Sequence, residues 1–191
     1  MMTTFEHCYN KLRIVEGGFA NHKDDRGGMT FCGISRVHHP DWIGWELVDA
    51  HMRRGEDPDT LLKTDFLMAL VKKIYREEFW EALHLNDFPQ VLASEIFDSA
   101  VNCGKKRAVI WLQHAMNLLR KPGTKPLLVE DGIMGPVTRA KVSARCSNYG
   151  TAELLKAMNG QQYMHYQNLV EGNESQLVFF RGWLKRVWEA A

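Results

Sequence analysis

No charge of either sign dominates this chain: 24 lysines and arginines stand against 23 aspartates and glutamates, for a formal net charge of +1. No strong field therefore draws it to nucleic acid or to an anionic membrane surface. Cysteine is scarce. Cys8, Cys32, Cys103 and Cys146 are all of it, none lies at C-x-x-C spacing, and no paired histidines stand at zinc-ligand spacing. Free, buried thiols in a reducing compartment are expected, with no metal and no cofactor. No apolar run approaches the roughly 18 residues of a membrane span, so no membrane insertion is expected. Met1 to His7 carries neither a charged leader nor a long apolar stretch, so no signal peptide is expected and synthesis is assigned to the cytoplasm. Repeats and low-complexity tracts are missing too.

What remains is the composition of a folded domain: 191 residues, 45% hydrophobic and 25% charged. A chain of this length buries about 70% of its unfolded surface and needs no staples. Thr3-Thr4-Phe5-Glu6 reads as a capping box, followed by Phe5, Cys8, Tyr9, Leu12 and Val15 at helical spacing. Gly17-Gly18 stop that helix and leave Glu16 on its last turn. A loop and a small hairpin over Met29 to Ile34 come next. Residues 36–60 read as irregular, with Trp42 and Trp45 among them. Thr64 is placed to cap a helix running to Phe79-Trp80. Further helices are expected over about 90–102, 105–119, 151–170 and 174–189, the last burying Leu177, Phe180, Trp183, Leu184 and Val187. Residues 121–136 form a loop, and Pro136 suits the first turn of another helix. The only seam lies near 100–104, so two subdomains packed together are expected.

The chemistry concentrates at 16–35. Glu16 closes a helix, Asp25 follows nine residues later in a glycine-containing loop, and Thr30 five residues after that. Cleaving a glycosidic bond needs a proton for the leaving oxygen and a nucleophile or activated water at the anomeric carbon. A free glutamate, with a pKa of about 4.3, is ionised at neutral pH. Partial burial beside Phe19 and the negative end of its own helix would both favour a protonated Glu16. Asp25 lies among Asp24, Arg26 and two glycines, a polar loop in which it stays ionised. Two carboxylates pushed in opposite directions is the pattern that assigns an acid and its partner.

Glu16-Gly17-Gly18-Phe19 followed by Asp25-Arg26-Gly27-Gly28-Met29-Thr30-Phe31-Cys32-Gly33-Ile34-Ser35 resembles the motif of glycoside hydrolase family 108, bacterial and phage N-acetylmuramidases. The resemblance implies a mainly α, lysozyme-like fold of the α+β kind, with a small β-hairpin after the first helix. It implies hydrolysis of the β-1,4 bond between N-acetylmuramic acid and N-acetylglucosamine in peptidoglycan, with Glu16 as general acid. The acid, aspartate and threonine order is also similar to that of phage-type lysozymes, which implies that Asp25 and Thr30 position the attacking water. Asp25 is preferred to Asp24 because it directly precedes x-G-G-x-T. Inversion, which needs roughly 6.5–9.5 Å between the carboxyls, is favoured over retention.

Phe97 to Gly104, Trp111-Leu112-Gln113 and Glu130-Asp131-Gly132-Ile133-Met134-Gly135-Pro136-Val137-Thr138 resemble the peptidoglycan-binding region usually attached to this family. Residues 1–100 are thus expected to form the catalytic region and 101–191 a helical binding region packed against it. The Asp131 to Thr138 loop is either a structural turn or a glycan contact. Asp98 and Asn102, four apart on one helix face, either line the cleft or bond the hairpin in place. Trp42 and Trp45 are candidate sugar-stacking subsites, whereas Trp111, Trp183 and Trp188 fall on helical faces and read as core. A monomer is expected, acting on the cell wall after export through a holin or a secretion route. A wall-binding module without activity and a hydrolase of another glycan such as chitin are the alternatives.

Overall fold

The computed structural model describes residues 4–13, 17–21 and 28–189. Helix α1 (Phe5–Arg13) is amphipathic and buries Phe5, Cys8, Tyr9 and Leu12, the spacing read from the sequence. Thr3, Val15 and Glu16, on which the capping box and the end of this helix were read, lie outside the described residues.

The chain divides into two compact units. One spans Glu6–Glu78, and the other Phe79–Ala191 together with Met1–Phe5. In the first, three short strands follow α1: β1 (Phe19–Ala20), β2 (Thr30–Phe31) and β3 (Ile34–Ser35). They form one antiparallel sheet in the order β1-β2-β3, with Ala20 opposite Thr30 and Phe31 opposite Ile34. The hairpin expected after the first helix is there, extended by one strand. Helix α2 (Gly44–Arg53), a 3₁₀ segment (Pro58–Lys63) and helix α3 (Asp65–Tyr75) complete the unit. Phe31, Val48, Leu67 and Val71 are its most deeply buried side chains.

Helix α2 corrects the irregular reading of 36–60. Its start has no side-chain cap, and Gly44 occupies the first turn because a Cβ there would overlap the Trp42 ring. A glycine packed under an indole reads as a break when only the sequence is visible. Thr64 does precede α3, but its side chain makes no capping bond.

In the second unit a π-helical turn (Arg76–Glu81, reaching back across the boundary) leads through a 3₁₀ turn (Leu85–Asp87) to α4 (Gln90–Cys103) and α5 (Lys105–Leu118). Helices α6 (Pro136–Tyr149), α7 (Ala152–Gly172) and α8 (Leu177–Glu189) follow. Phe5, Trp80 and Phe97 meet edge to face, with ring centroids 5.7–5.8 Å apart. Ile96, Leu112, Ala115 and Leu154 are fully buried around the contact of α4, α5 and α7. Pro136 opens α6, as its missing N–H permits. The burial expected of α8 is only partly found: Val187 is buried, Phe180, Trp183 and Leu184 are half-buried, and Leu177 is exposed. Leu177 follows directly on a 3₁₀ turn (Glu174–Gln176), where the helix face has not yet settled onto α7. All four cysteines are free, Cys8 and Cys32 buried, Cys103 and Cys146 half-buried. Among the described residues no helix is long and apolar enough to cross a membrane. The protein is mainly α with a small antiparallel sheet, the lysozyme-like class implied by the sequence.

One connection, 119–135, exceeds the dozen or so residues that usually go without structure of their own. Two buried amides one turn apart on α5 hold it. Asn117 Oδ1 accepts the backbone N–H groups of Leu127 and Leu128, at 2.7 and 2.9 Å, and its Nδ2 donates to the Leu128 carbonyl and to Glu130. Gln113 Oε1 accepts the Gly132 N–H at 2.9 Å, while its Nε2 donates to Asp131 Oδ1 at 2.8 Å. Gly132 is obligatory here: its φ is +78°, and a Cβ would lie 2.6 Å from Lys106 Cγ and 2.9 Å from the Lys106 carbonyl oxygen. The Asp131 to Thr138 motif is thus anchored from inside the fold.

Glu95 on α4 is 1% exposed. Ser99 Oγ donates to its Oε1 at 3.1 Å, and its Oε2 has no partner. Burial pushes its pKa up to about 7, against a lowering by the Ser99 bond and a further small rise from Asp98. Because the folded-state value lies above the unfolded one, the carboxyl favours the fold below pH 4.5, and that contribution drains away as pH rises through 7. The stability difference between Glu95→Gln and the parent should therefore grow by about 3 kcal/mol in favour of the variant from pH 4 to pH 8. Urea unfolding at both pH values measures it, and an unchanged difference would contradict the assignment.

Candidate active site

Glu16 and Asp25 lie outside the described residues, as do Asp24 and Arg26. The segments that flank them in sequence, Gly17 to Asn21 and Gly28 to Ser35, are described.

The frame begins with the hairpin. Strands β2 and β3 are joined by a two-residue turn in which both Cys32 (φ +46°) and Gly33 (φ +76°) adopt positive φ. Primed turns of this kind match the twist of the flanking strands and demand such angles. Glycine supplies one freely. Cysteine adopts the other only because its surroundings hold it there. The Cys32 N–H donates to the Gly18 carbonyl at 2.9 Å, and the Cys32 carbonyl accepts the Tyr75 hydroxyl at 2.9 Å. Tyr75 belongs to α3 and also meets the Tyr9 ring of α1 at 5.7 Å. The turn is thus tied to both helices.

Beyond the hairpin, Arg36 grips Asp49 of α2 with two parallel bonds of 2.6 and 2.7 Å. Those bonds hold the Asp49 carboxyl below the usual carboxylate range. The Arg36 guanidinium lies over the Trp45 ring at 5.2 Å, and the Trp45 indole N–H donates to the His39 carbonyl at 2.7 Å. A bidentate pair of this sort fixes orientation as well as proximity.

On the other side of the Gly17-Gly18 turn stands the 3₁₀ segment. Asp57 caps it by accepting the Asp59 N–H at 3.0 Å, and Pro58 occupies its first position. Asp59 Oδ1 in turn accepts the Phe19 N–H at 2.6 Å. A Cβ on Gly18 would overlap that carboxylate and touch Leu62, whereas one on Gly17 would meet nothing. Gly17, Gly18, Leu12, Cys32, Leu62 and Val71 line a cavity of about 220 Å³.

Of the residues singled out from the sequence, Thr30 is half-buried on β2, opposite Ala20 and Ser35. Trp42 is half-buried, stacked on Phe31 at 6.3 Å and edge-on to Trp45 at 5.2 Å. Trp45 was read as a subsite because its segment looked irregular. It lies on α2, 3% exposed, and works as a packing residue. Asp98 accepts from Arg186 of α8 at 2.8 Å, and Asn102 donates to the Tyr166 hydroxyl of α7 at 2.5 Å. Both bonds tie α4 to the last two helices. Trp111 is buried as expected, Trp183 is half-buried against Tyr166 at 5.2 Å, and the Trp188 side chain lies outside the described residues. Among the described residues no group of three or more histidines, cysteines, aspartates and glutamates could hold a metal ion.

Sequence reasoning missed Arg36, Asp49, Asp59 and Tyr75. The Asp57-Pro58-Asp59-Thr60 run carries a helix-start signal, but nothing local to it points to a partner 40 residues away. Glu95 has a pKa suited to an acid, yet its burial denies it to any polymeric substrate, so it is not a catalytic candidate. The positive φ of Gly33 gives a direct check on the frame. Gly33→Ala should cost about 1–2 kcal/mol of stability, measured by urea unfolding; an unchanged midpoint would contradict the turn geometry.

Residues 9–104 match the family model described as Glycosyl hydrolase 108. Residues 107–188 match a second, described as Predicted Peptidoglycan domain. The first match runs past the end of the Glu6–Glu78 unit and takes in α4. A search of curated proteins gives no match. Among solved structures the chain is similar to SagA of Brucella abortus, with 26% identity and a TM-score of 0.61, over 97% of this chain and 90% of that one. With half of its length matched by the catalytic family model and the rest by the wall-binding one, the chain belongs to the glycosyl hydrolase 108 family and is a glycoside hydrolase acting on peptidoglycan.

Proposed function

We propose that the protein is an N-acetylmuramidase, cleaving the β-1,4 bond from N-acetylmuramic acid to N-acetylglucosamine with Glu16 as general acid. Asp25 and Thr30 hold the water that attacks the opposite face of the sugar, and the reaction inverts the anomeric centre. The observation that carries this reading is the strand register. Ala20 pairs with Thr30, so the hydroxyl-bearing strand runs directly beside the chain four residues after Glu16.

In this reading residues 1–100 cut and 101–191 grip the wall. Trp42 is a sugar-stacking candidate, while Trp45, Asp98 and Asn102 support the fold. The protein works as a monomer on the cell wall, reached through a holin or a secretion route.

Digestion of defined peptidoglycan, with mass analysis of the products and proton NMR of the anomer first released, reports the bond, the stereochemistry and the activity together. Fragments ending in N-acetylmuramic acid at the reducing end are expected, formed with inversion. Cleavage of chitin in place of peptidoglycan, or co-sedimentation with sacculi without released reducing sugar, would replace the proposal. Glu16→Gln should lower kcat about 100- to 10,000-fold, with binding to sacculi retained. Thr30→Val should lower kcat while Thr30→Ser keeps most of it, because only the hydroxyl is needed.

A further inference from the structure

An acid followed by two glycines stands on the slackest backbone a protein can offer, because glycine restricts neither φ nor ψ. A general acid nevertheless has to meet the leaving oxygen within hydrogen-bond reach. Gly17 has no neighbour within 4 Å of where a Cβ would stand, so packing there does not remove the slack. The nearest constraint comes one peptide later. The Gly18 carbonyl and the Phe19 N–H belong to the same peptide unit, and in a trans peptide they point in opposite directions. The carbonyl accepts from Cys32 N–H at 2.9 Å and the N–H donates to Asp59 Oδ1 at 2.6 Å. The plane is thus gripped by the hairpin on one edge and by a carboxylate on the other. A bond to an ionised acceptor is among the stronger of its kind. Asp59 is itself braced by Asp57 and Pro58, and its segment presses close enough that Gly18 can carry no side chain.

We infer that Asp59 is a positioning residue for the reaction: by fixing the Gly18–Phe19 peptide it sets where Glu16 delivers its proton. This rests on the assignment of Glu16 as the acid. Asp59 is exposed and 40 residues from Phe19 in sequence. Its replacement therefore removes one bond without opening the core.

The test uses the full chain with soluble peptidoglycan fragments, measuring kcat and KM separately, with melting curves to confirm folding. Asp59→Ala should lower kcat about 10- to 100-fold and leave KM within about twofold, because substrate contacts stay intact. Asp59→Asn keeps an oxygen for the Phe19 N–H and should recover most of the loss. Asp59→Glu keeps the charge but moves the oxygen by one methylene, and it should lose kcat several-fold at a melting temperature near the parent's. Should Asp59→Ala not fold, the Asn and Glu variants decide alone. Parent-like kcat in Asp59→Ala or Asp59→Glu, a loss confined to KM, or an Asn variant as slow as the Ala one overturns the inference. Glu16→Gln is run alongside: if it stays active the acid assignment fails, and if it is inactive while Asp59→Ala turns over normally only the positioning role fails.

Discussion

A single peptide group, that between Gly18 and Phe19, is the point on which the first unit turns. Its carbonyl holds the Cys32 amide and its N–H reaches Asp59. Each partner is itself over-determined. Cys32 is forced to positive φ and bonded through its carbonyl to Tyr75, and Asp59 is capped by Asp57. Helix α3, the hairpin and the 3₁₀ segment thereby converge on the two glycines that follow Glu16. The glycines do different work. Gly18 is excluded from bearing a side chain by the Asp59 carboxylate, whereas Gly17 faces open space. A close approach and an opening lie side by side, the arrangement expected where a rigid frame must end at a substrate.

The second unit uses the same device with different chemistry. Gln113 and Asn117 replace the missing secondary structure of the 119–135 connection by satisfying its backbone groups from within α5. Asp131 and Thr138 both lie within hydrogen-bond distance of Gln113. The motif that marks the wall-binding half is therefore largely a folding instruction, and it leaves Ile133 and Val137 more than 60% exposed.

That division explains what could be read from the sequence. Helical periodicity located α1, α3 to α5, α7 and α8, since each carries an apolar stripe that repeats at about 3.6 residues, and Pro136 marked the start of α6. Gly33 and the alternation around it marked the hairpin. Helix α2 was hidden because its first-turn glycine answers to Trp42 packing instead of to local propensity. Trp45 was misplaced for the same reason: once α2 is missed, a tryptophan in it looks free to face a sugar. Asp98 and Asn102 were correctly put on one face of a helix, but their partners, Arg186 and Tyr166, stand 88 and 64 residues away. Long-range pairing of polar groups leaves no periodic trace, so these pairings were invisible where the apolar core was not.

Glu95 shows why location must decide whether an acid can serve. Glu95 holds its proton to about pH 7 because burial penalises its charge, yet that burial keeps every substrate away. A working general acid needs the same penalty from one side only. The surroundings of Gly17 are one-sided in this way. Leu12, Leu62 and Val71 line an apolar cavity at Gly17, while the Cα of Gly17 itself meets open space. A larger residue at 17 would close that side, and a second glycine at 18 is already demanded by Asp59. The two glycines thus meet two requirements that burial alone sets in conflict: Gly18 admits the close approach of Asp59, and Gly17 leaves its own side open.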